Sequence, residues 1–300
     1  MSTGERVGVI GLGNIGGAIA ANLVGDGHHV SVYDPDGDRT GAVVGLGARP
    51  AHGPAEVGER SEITFASLPT PAIVDEVATA WLEGAAPESV FVDLSTNAPS
   101  TVRAIGARCA AAGRHFLECP LTGGAPGAQA RMLVFMVGGD AAVYERVKPL
   151  LDKLGRATFH VGPLGLGNTA KLVNSLLAFT STWISLETLA VAAKAGVDLR
   201  TMVDVVRTGG ATNFYIDRMV ELMNERGRPT QFALGLAAKD AGLFLDLARE
   251  HGVPTPAAAQ VAQVLVAAVG AGLGEKDFTD LVELAERNAG LELRLPPPRS

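Results

Sequence analysis

One lysine stands almost alone in an oily stretch. Between Ala157 and Leu186 the only Asp, Glu, Lys or Arg is Lys171, within GLGNTAKLVNSLLAF (165–179). Asn168, Lys171, Asn174 and Ser175 recur at three- and four-residue spacing, which puts them on one face of a helix. A solvated stripe on a long helix normally carries several charges of both signs, whereas this one carries a single ammonium. Apolar flanks partly desolvate such a group, and desolvation suits a lysine to proton transfer near neutrality. Lys171 is therefore the candidate general acid/base. Asn174, one turn later, is the candidate partner that binds substrate or orients the lysine.

Two further loops have chemical potential. In RVGVIGLGNIGGAIAANLVGDGHHVSVYD (6–34), an apolar strand runs into Gly11, Gly13 and Gly16, a helix pattern follows, and a second β-branched strand ends at Asp34. Gly11 allows a tight turn, Gly13 leaves room for a pyrophosphate, and Gly16 permits close helix packing. The helix N-terminus offers free N–H groups to phosphate. Asp34 stands where a carboxylate can bind a ribose 2′-hydroxyl. The expected cofactor site is thus Gly11, Leu12, Gly13, Asn14, Ile15 and Gly16 with Asp34. The acid favours NAD, and Arg39 keeps NADP open. The second loop, Thr122-Gly123-Gly124, joins a hydroxyl to unobstructed backbone N–H groups and could cradle a substrate carboxylate. A glycine connection needed only for its backbone angles is the alternative.

These residues need elements to place them. Strand patterns at 62–69, 89–96, 115–124, 132–140 and 157–163 alternate with helical ones, which predicts a mostly parallel, doubly wound α/β sheet. Ligands on such sheets lie at the carboxyl ends of strands, so Leu68, Pro69, Ser95 and Thr96 are candidates to line the cofactor cleft. Cap and loop roles are the alternative for each. After Gly162 the strand pattern stops. A long helix is predicted from Asn168 to Ala195, then helices at 199–207, about 214–224, 234–250, 255–270 and beyond Asp277. The expected organisation is a dinucleotide-binding Rossmann domain over 1–163, an all-helical domain over 164–294 and a tail over 295–300.

The composition excludes other classes. A net charge of −7 argues against a nucleic-acid partner. The first strand begins within seven residues of Met1, so no signal peptide is expected. No apolar run is expected to reach the roughly 20 residues that span a bilayer. A cytoplasmic chain with no membrane partner follows. Cys109 and Cys119 suit buried thiols rather than a disulfide framework. The six histidines lack metal-ligand spacing, and no metal is expected.

The chain resembles the β-hydroxyacid dehydrogenases, the group of 3-hydroxyisobutyrate dehydrogenase and tartronate semialdehyde reductase, from about residue 6 to 285. VGVIGLGNIGGAIAANLVGDGHHVSVYD is similar to the family's cofactor signature, FLECPLTGGAPGAQARMLVFMVGGD to its substrate segment, and GLGNTAKLVNSLL to its catalytic segment, with Lys171 at the catalytic lysine. FALGLAAKD (232–240) resembles a later motif, which implies an active-site place for Lys239 on the cofactor side. The resemblance implies NAD(P)-dependent oxidation of a small 3-hydroxy acid or reduction of its semialdehyde, with a small carboxylate substrate and a homodimeric or homotetrameric assembly. The family usually reads D-A-P-V-S-G-G where this chain has ECPLTGG, and Arg131-Met132 replaces the usual glycine and threonine. The related phosphogluconate dehydrogenases usually carry histidine where Val173 stands. Two alternatives remain: an NADPH-dependent imine or carbonyl reductase of the same superfamily, and a non-catalytic nucleotide-binding protein.

Overall fold

The computed structural model describes residues 4–217, 223–225 and 227–294. The chain divides into two compact units, Met1–Leu172 and Val173–Ser300.

The first unit is built on a nine-stranded sheet. Its parallel part comprises β1 (Arg6–Ile10), β2 (His29–Tyr33), β3 (Arg49–Pro50), β4 (Ile63–Ala66), β5 (Val90–Asp93) and β6 (His115–Glu118), in the order β3-β2-β1-β4-β5-β6. The order reverses at β1, which is where a doubly wound sheet opens a cleft. Every residue of β4 and β5 is buried, as expected for strands covered on both faces. Side chains alternate between two cores: Val7, Val9, Phe65, Val90, Val92 and Leu117 face one, while Ile10, Ala66, Phe91 and Phe116 face the other. The first core is closed by α1 (Gly16–Gly25) and α7 (Ala141–Leu154), the second by α3 (Pro54–Arg60), α4 (Pro71–Gly84) and α5 (Pro99–Ala111).

Beyond β6 the sheet changes direction. Short β7 (Leu121–Thr122) and the end of β6 both pair antiparallel with β8 (Leu133–Gly138), and β9 (Gly155–Gly162) pairs parallel with β8. A short helix, α6 (Gly124–Gln129), connects β7 to β8 and buries Ala128 in the first core. The chain from 35 to 61, for which the pattern suggested no element, forms α2 (Gly37–Val44), β3 and α3. Its signals are local ones: the Asp36 carboxylate accepts from Asp38 and Arg39 N–H groups at the start of α2, and Pro54 opens α3.

The helix carrying Lys171, α8, spans Leu166–Lys194. In the second unit, apolar side chains of α8 from Leu176 to Ala190 join one core with Leu199–Thr208, Leu234–Glu250, Pro256–Ala268 and Leu281–Ala289. The helix expected over about 214–224 falls partly outside the described residues, and the tail 295–300 falls wholly outside them. One expectation needs correction. Leu166–Lys194 and Pro256–Leu273 are long and apolar enough to cross a bilayer, by length and composition only, with mean hydropathies of 1.4 and 1.5. Counting only unbroken apolar runs hides this, because Ser and Thr interrupt the first stretch and Gln260 and Gln263 the second while the mean stays high. Half of the most apolar stretch of Leu166–Lys194 is buried, as in a core helix.

Candidate functional site

The glycine loop leaves β1 with Gly11 at φ +82°. A Cβ on Gly11 would lie 2.3 Å from the Ser67 carbonyl oxygen, so both the backbone angle and the clearance require glycine. A Cβ on Gly16 would lie 1.9 Å from the Gly11 carbonyl oxygen. The close contact there is with the turn itself. A Cβ on Gly13 would meet only the Arg39 guanidinium, at 3.9 Å, so the space above Gly13 is open. Helix α1 starts without a side-chain cap or an acid in its first turn, unlike α2 and α7, which Asp36 and Asp140 cap. An open glycine cradle beneath an uncapped helix N-terminus fits a dinucleotide pyrophosphate.

Asp34 is fixed against this loop. Its Oδ2 accepts from the Leu12 N–H at 2.7 Å and its Oδ1 from the Asp36 N–H at 2.9 Å. Arg39 lies alongside, 3.9 Å from Asp34 Oδ2 and 3.2 Å from Asp36 Oδ2. Its guanidinium is half exposed and borders both the acid and the open space over Gly13. Asn14 is exposed and Ile15 partly buried at the helix start.

The ends of β4 and β5 lie along the same edge. The Leu68 N–H donates to Ser95 Oγ at 2.9 Å, tying the two loops together. Pro69 is exposed and Thr96 half-buried. Below Thr96, Asp93 accepts from the Ser95 N–H at 3.0 Å and from Asn97 Nδ2 at 2.6 Å. Complete burial pushes Asp93 up to about 7; its hydrogen bonds to Ser95 and Asn97 oppose the shift, and the Glu118 charge adds to it.

Glu118, absent from the sequence-based site, closes β6 and is fully buried. Its Oε1 accepts from the N–H groups of Gly165 and Gly167, the latter at 3.0 Å. Its Oε2 accepts from Asn168 N at 2.9 Å and Asn168 Nδ2 at 2.6 Å. The Asn168 Oδ1 accepts from the Asn97 N–H at 2.7 Å. Burial raises the Glu118 pKa against those hydrogen bonds. Its position after strand His115–Glu118 was legible, but its partners lie about 50 residues away in sequence and carry no local signal.

Thr122 ends β7, and Gly123 and Gly124 follow at φ +121° and +61°. These angles belong to glycine, so the alternative of a glycine connection needed for its backbone angles has physical substance as well. The polar face of α8 is turned inward: Asn168 and Ser175 are buried, and Lys171 and Asn174 half-buried. Around Lys171 the exposed side chains of α8 are instead apolar, Leu166, Val173 and Leu177, whereas Glu187, Thr188 and Lys194 are exposed nearer its end. A fully solvated stripe would expose all four residues, and here Asn168 and Ser175 are buried. Lys239 lies in the second unit on Leu234–Glu250, its Nζ 3.2 Å from the buried Asp240 carboxylate. Cys109 and Cys119 are free and buried. Among the described residues no cluster of His, Cys, Asp and Glu could hold a metal.

The structure thus collects Gly11–Gly16, Asp34, Leu68, Pro69 and Thr96 at the carboxyl ends of adjacent strands, and sets Lys171 and Asn174 one turn apart on one helix.

Known proteins resemble this chain over nearly its full length. Residues 6–162 match the NAD-binding domain of 6-phosphogluconate dehydrogenase, and residues 165–285 match the family described as NAD-binding of NADP-dependent 3-hydroxyisobutyrate dehydrogenase. The 2-(hydroxymethyl)glutarate dehydrogenase of Eubacterium barkeri is 31% identical, covering 98% of this chain and 99% of its own. A probable mitochondrial 3-hydroxyisobutyrate dehydrogenase of Dictyostelium discoideum is also 31% identical, covering 96% and 92%. The solved Mycobacterium tuberculosis 3-hydroxyisobutyrate dehydrogenase with L-serine superposes with a TM-score of 0.87 at 27% identity, covering 94% and 99%.

Proposed function

This chain belongs to the β-hydroxyacid dehydrogenase family and is an NAD(P)-dependent oxidoreductase acting on CH–OH groups, and we propose that it interconverts a small 3-hydroxy acid and its semialdehyde with Lys171 as general acid/base. The observation that supports this reading is the polar stretch of α8 from Asn168 to Ser175, in which Lys171 and Asn174 are half-buried beside buried Asn168 and Ser175 while Leu166, Val173 and Leu177 are exposed.

The nicotinamide cofactor, when bound, takes up or returns the hydride of the carbinol carbon. Gly11–Gly16 would hold its pyrophosphate, and Asp34 its ribose diol. Leu68, Pro69 and Thr96 would line its cleft, and Lys239 would contribute from the cofactor side. Asp34 is held beside the loop by Leu12 and Asp36, which supports NAD over NADP because a 2′-phosphate there meets like charge. The backbone N–H groups of Thr122–Gly124 grip the substrate carboxylate. In oxidation Lys171 Nζ accepts the hydroxyl proton as the hydride leaves. In reduction it returns that proton to the carbonyl oxygen. Asn174 orients the substrate hydroxyl or the lysine. The enzyme works in the cytoplasm as a homodimer or homotetramer.

The test is NADH absorbance against a panel of 3-hydroxyisobutyrate, 2-(hydroxymethyl)glutarate, L-serine and the corresponding three- and four-carbon semialdehydes. Turnover of at least one member is expected. Dinucleotide binding without turnover of any member would overturn the assignment.

A further inference from the structure

The buried carboxylate of Glu118 receives four N–H donors: Gly165 N, Gly167 N, Asn168 N and Asn168 Nδ2. The first amides of a helix have no partner within it. Here β6 supplies one, so the start of α8 is bonded to the central sheet. The surroundings are shaped for this side chain. A Cβ on Gly138 would lie 2.2 Å from Glu118 Oε1, and one on Gly167 would lie 3.0 Å from Glu118 Cδ. The Asn168 amide has a second task, since its Oδ1 accepts from the Asn97 N–H, next to Thr96. Asn97 in turn donates to Asp93 at the end of β5. A continuous buried chain, Asp93–Asn97–Asn168–Glu118, therefore joins the cofactor-side loop after β5 to the first turn of the helix that carries Lys171 one turn later.

We propose that Glu118 is a positioning residue: through Asn168 it fixes the start of α8 and holds Lys171 in register with the loop Ser95–Asn97. The inference rests on Lys171 being the proton carrier. Because these four partners all donate, E118Q keeps the shape but turns an NH₂ group toward two donors. The helix start then loses half of its anchor. A displacement of about 1 Å at a reacting group costs on the order of 100-fold in rate.

The experiment compares wild type, E118Q, E118Q/N168D and K171A. Hydrogen exchange in the ligand-free protein reads the amides of Gly165, Gly167 and Asn168. Steady-state kinetics use the panel acid turned over fastest, with NADH affinity measured by fluorescence. E118Q is expected to exchange faster at those amides and to lose about 100-fold in kcat while NADH affinity holds. In E118Q/N168D the carboxylate introduced at position 168 accepts from the amide introduced at position 118 and still accepts from the Asn97 N–H, which should recover about tenfold in kcat. Wild-type exchange and kcat in E118Q overturn the proposal. So does a double variant without recovery, whether or not E118Q itself folds. Full turnover in K171A strikes instead at the proton-carrier reading, which separates the two failures.

Discussion

Asp93 lies fully buried at the end of β5, with its folded pKa raised from 3.8 to about 7 chiefly by burial. An acid raised on folding favours the folded state below its unfolded value, and that contribution is lost as pH climbs through the folded value. The difference between the two values corresponds to roughly 4 kcal/mol. The window runs from about pH 4 to pH 7. D93N removes the titration and keeps the shape of the side chain. Its amide oxygen can accept from the Ser95 N–H, as the carboxylate does. Once the Asn97 amide turns over, the new NH₂ can donate to Asn97 Oδ1, which has no hydrogen-bond partner in the wild type. The assay is denaturant unfolding followed by Trp81 fluorescence in a Trp183→Phe background, at intervals from pH 4 to 8. Trp81 sits in the core beside Phe91, so it reports on the first unit. The stability of wild type relative to D93N should fall by roughly 4 kcal/mol across the window. Parallel curves for the two proteins would show that Asp93 does not titrate there and would refute the reasoning.

The glycine loop separates clearance for the fold from clearance for a ligand. G16A drives a methyl group to 1.9 Å from the Gly11 carbonyl, so thermal unfolding should show a loss of about 1–3 kcal/mol. G13A meets no protein atom closer than 3.9 Å, so its melting temperature should match wild type while NADH affinity, measured by fluorescence titration, falls roughly 10- to 100-fold. D34S removes the carboxylate proposed to bind the ribose diol, and the ratio of kcat/KM for NADP to that for NAD should rise by about tenfold or more. R39A should lower whatever NADP activity exists, because its guanidinium borders the same space.

Much of this was legible from residue order. The strand–glycine–helix–strand–acid sequence from Val7 to Asp34 is local, and Gly11 and Gly16 each meet a steric obstacle in three dimensions, while the space over Gly13 is open. The Gly16 obstacle is the Gly11 carbonyl rather than the sheet. The isolation of Lys171 was likewise visible, and burial decides which way its face turns. The antiparallel turn at β7 and β8 was not legible, because a run of apolar residues reads the same in either direction. The short elements between 35 and 61 carry only caps and a proline as signals. Glu118 stayed hidden for a different reason. Its meaning lies in donors about 50 residues downstream and in the missing side chains of Gly138 and Gly167. Neither a period nor a motif records such long-range complementarity.

The central claim is that Lys171 moves the proton. Measured side by side, K171A and wild type should bind NADH with equal affinity by fluorescence, while kcat of the mutant falls by about 10²- to 10⁴-fold, the usual contribution of a positioned acid/base. Wild-type turnover in K171A with intact NADH binding would contradict it.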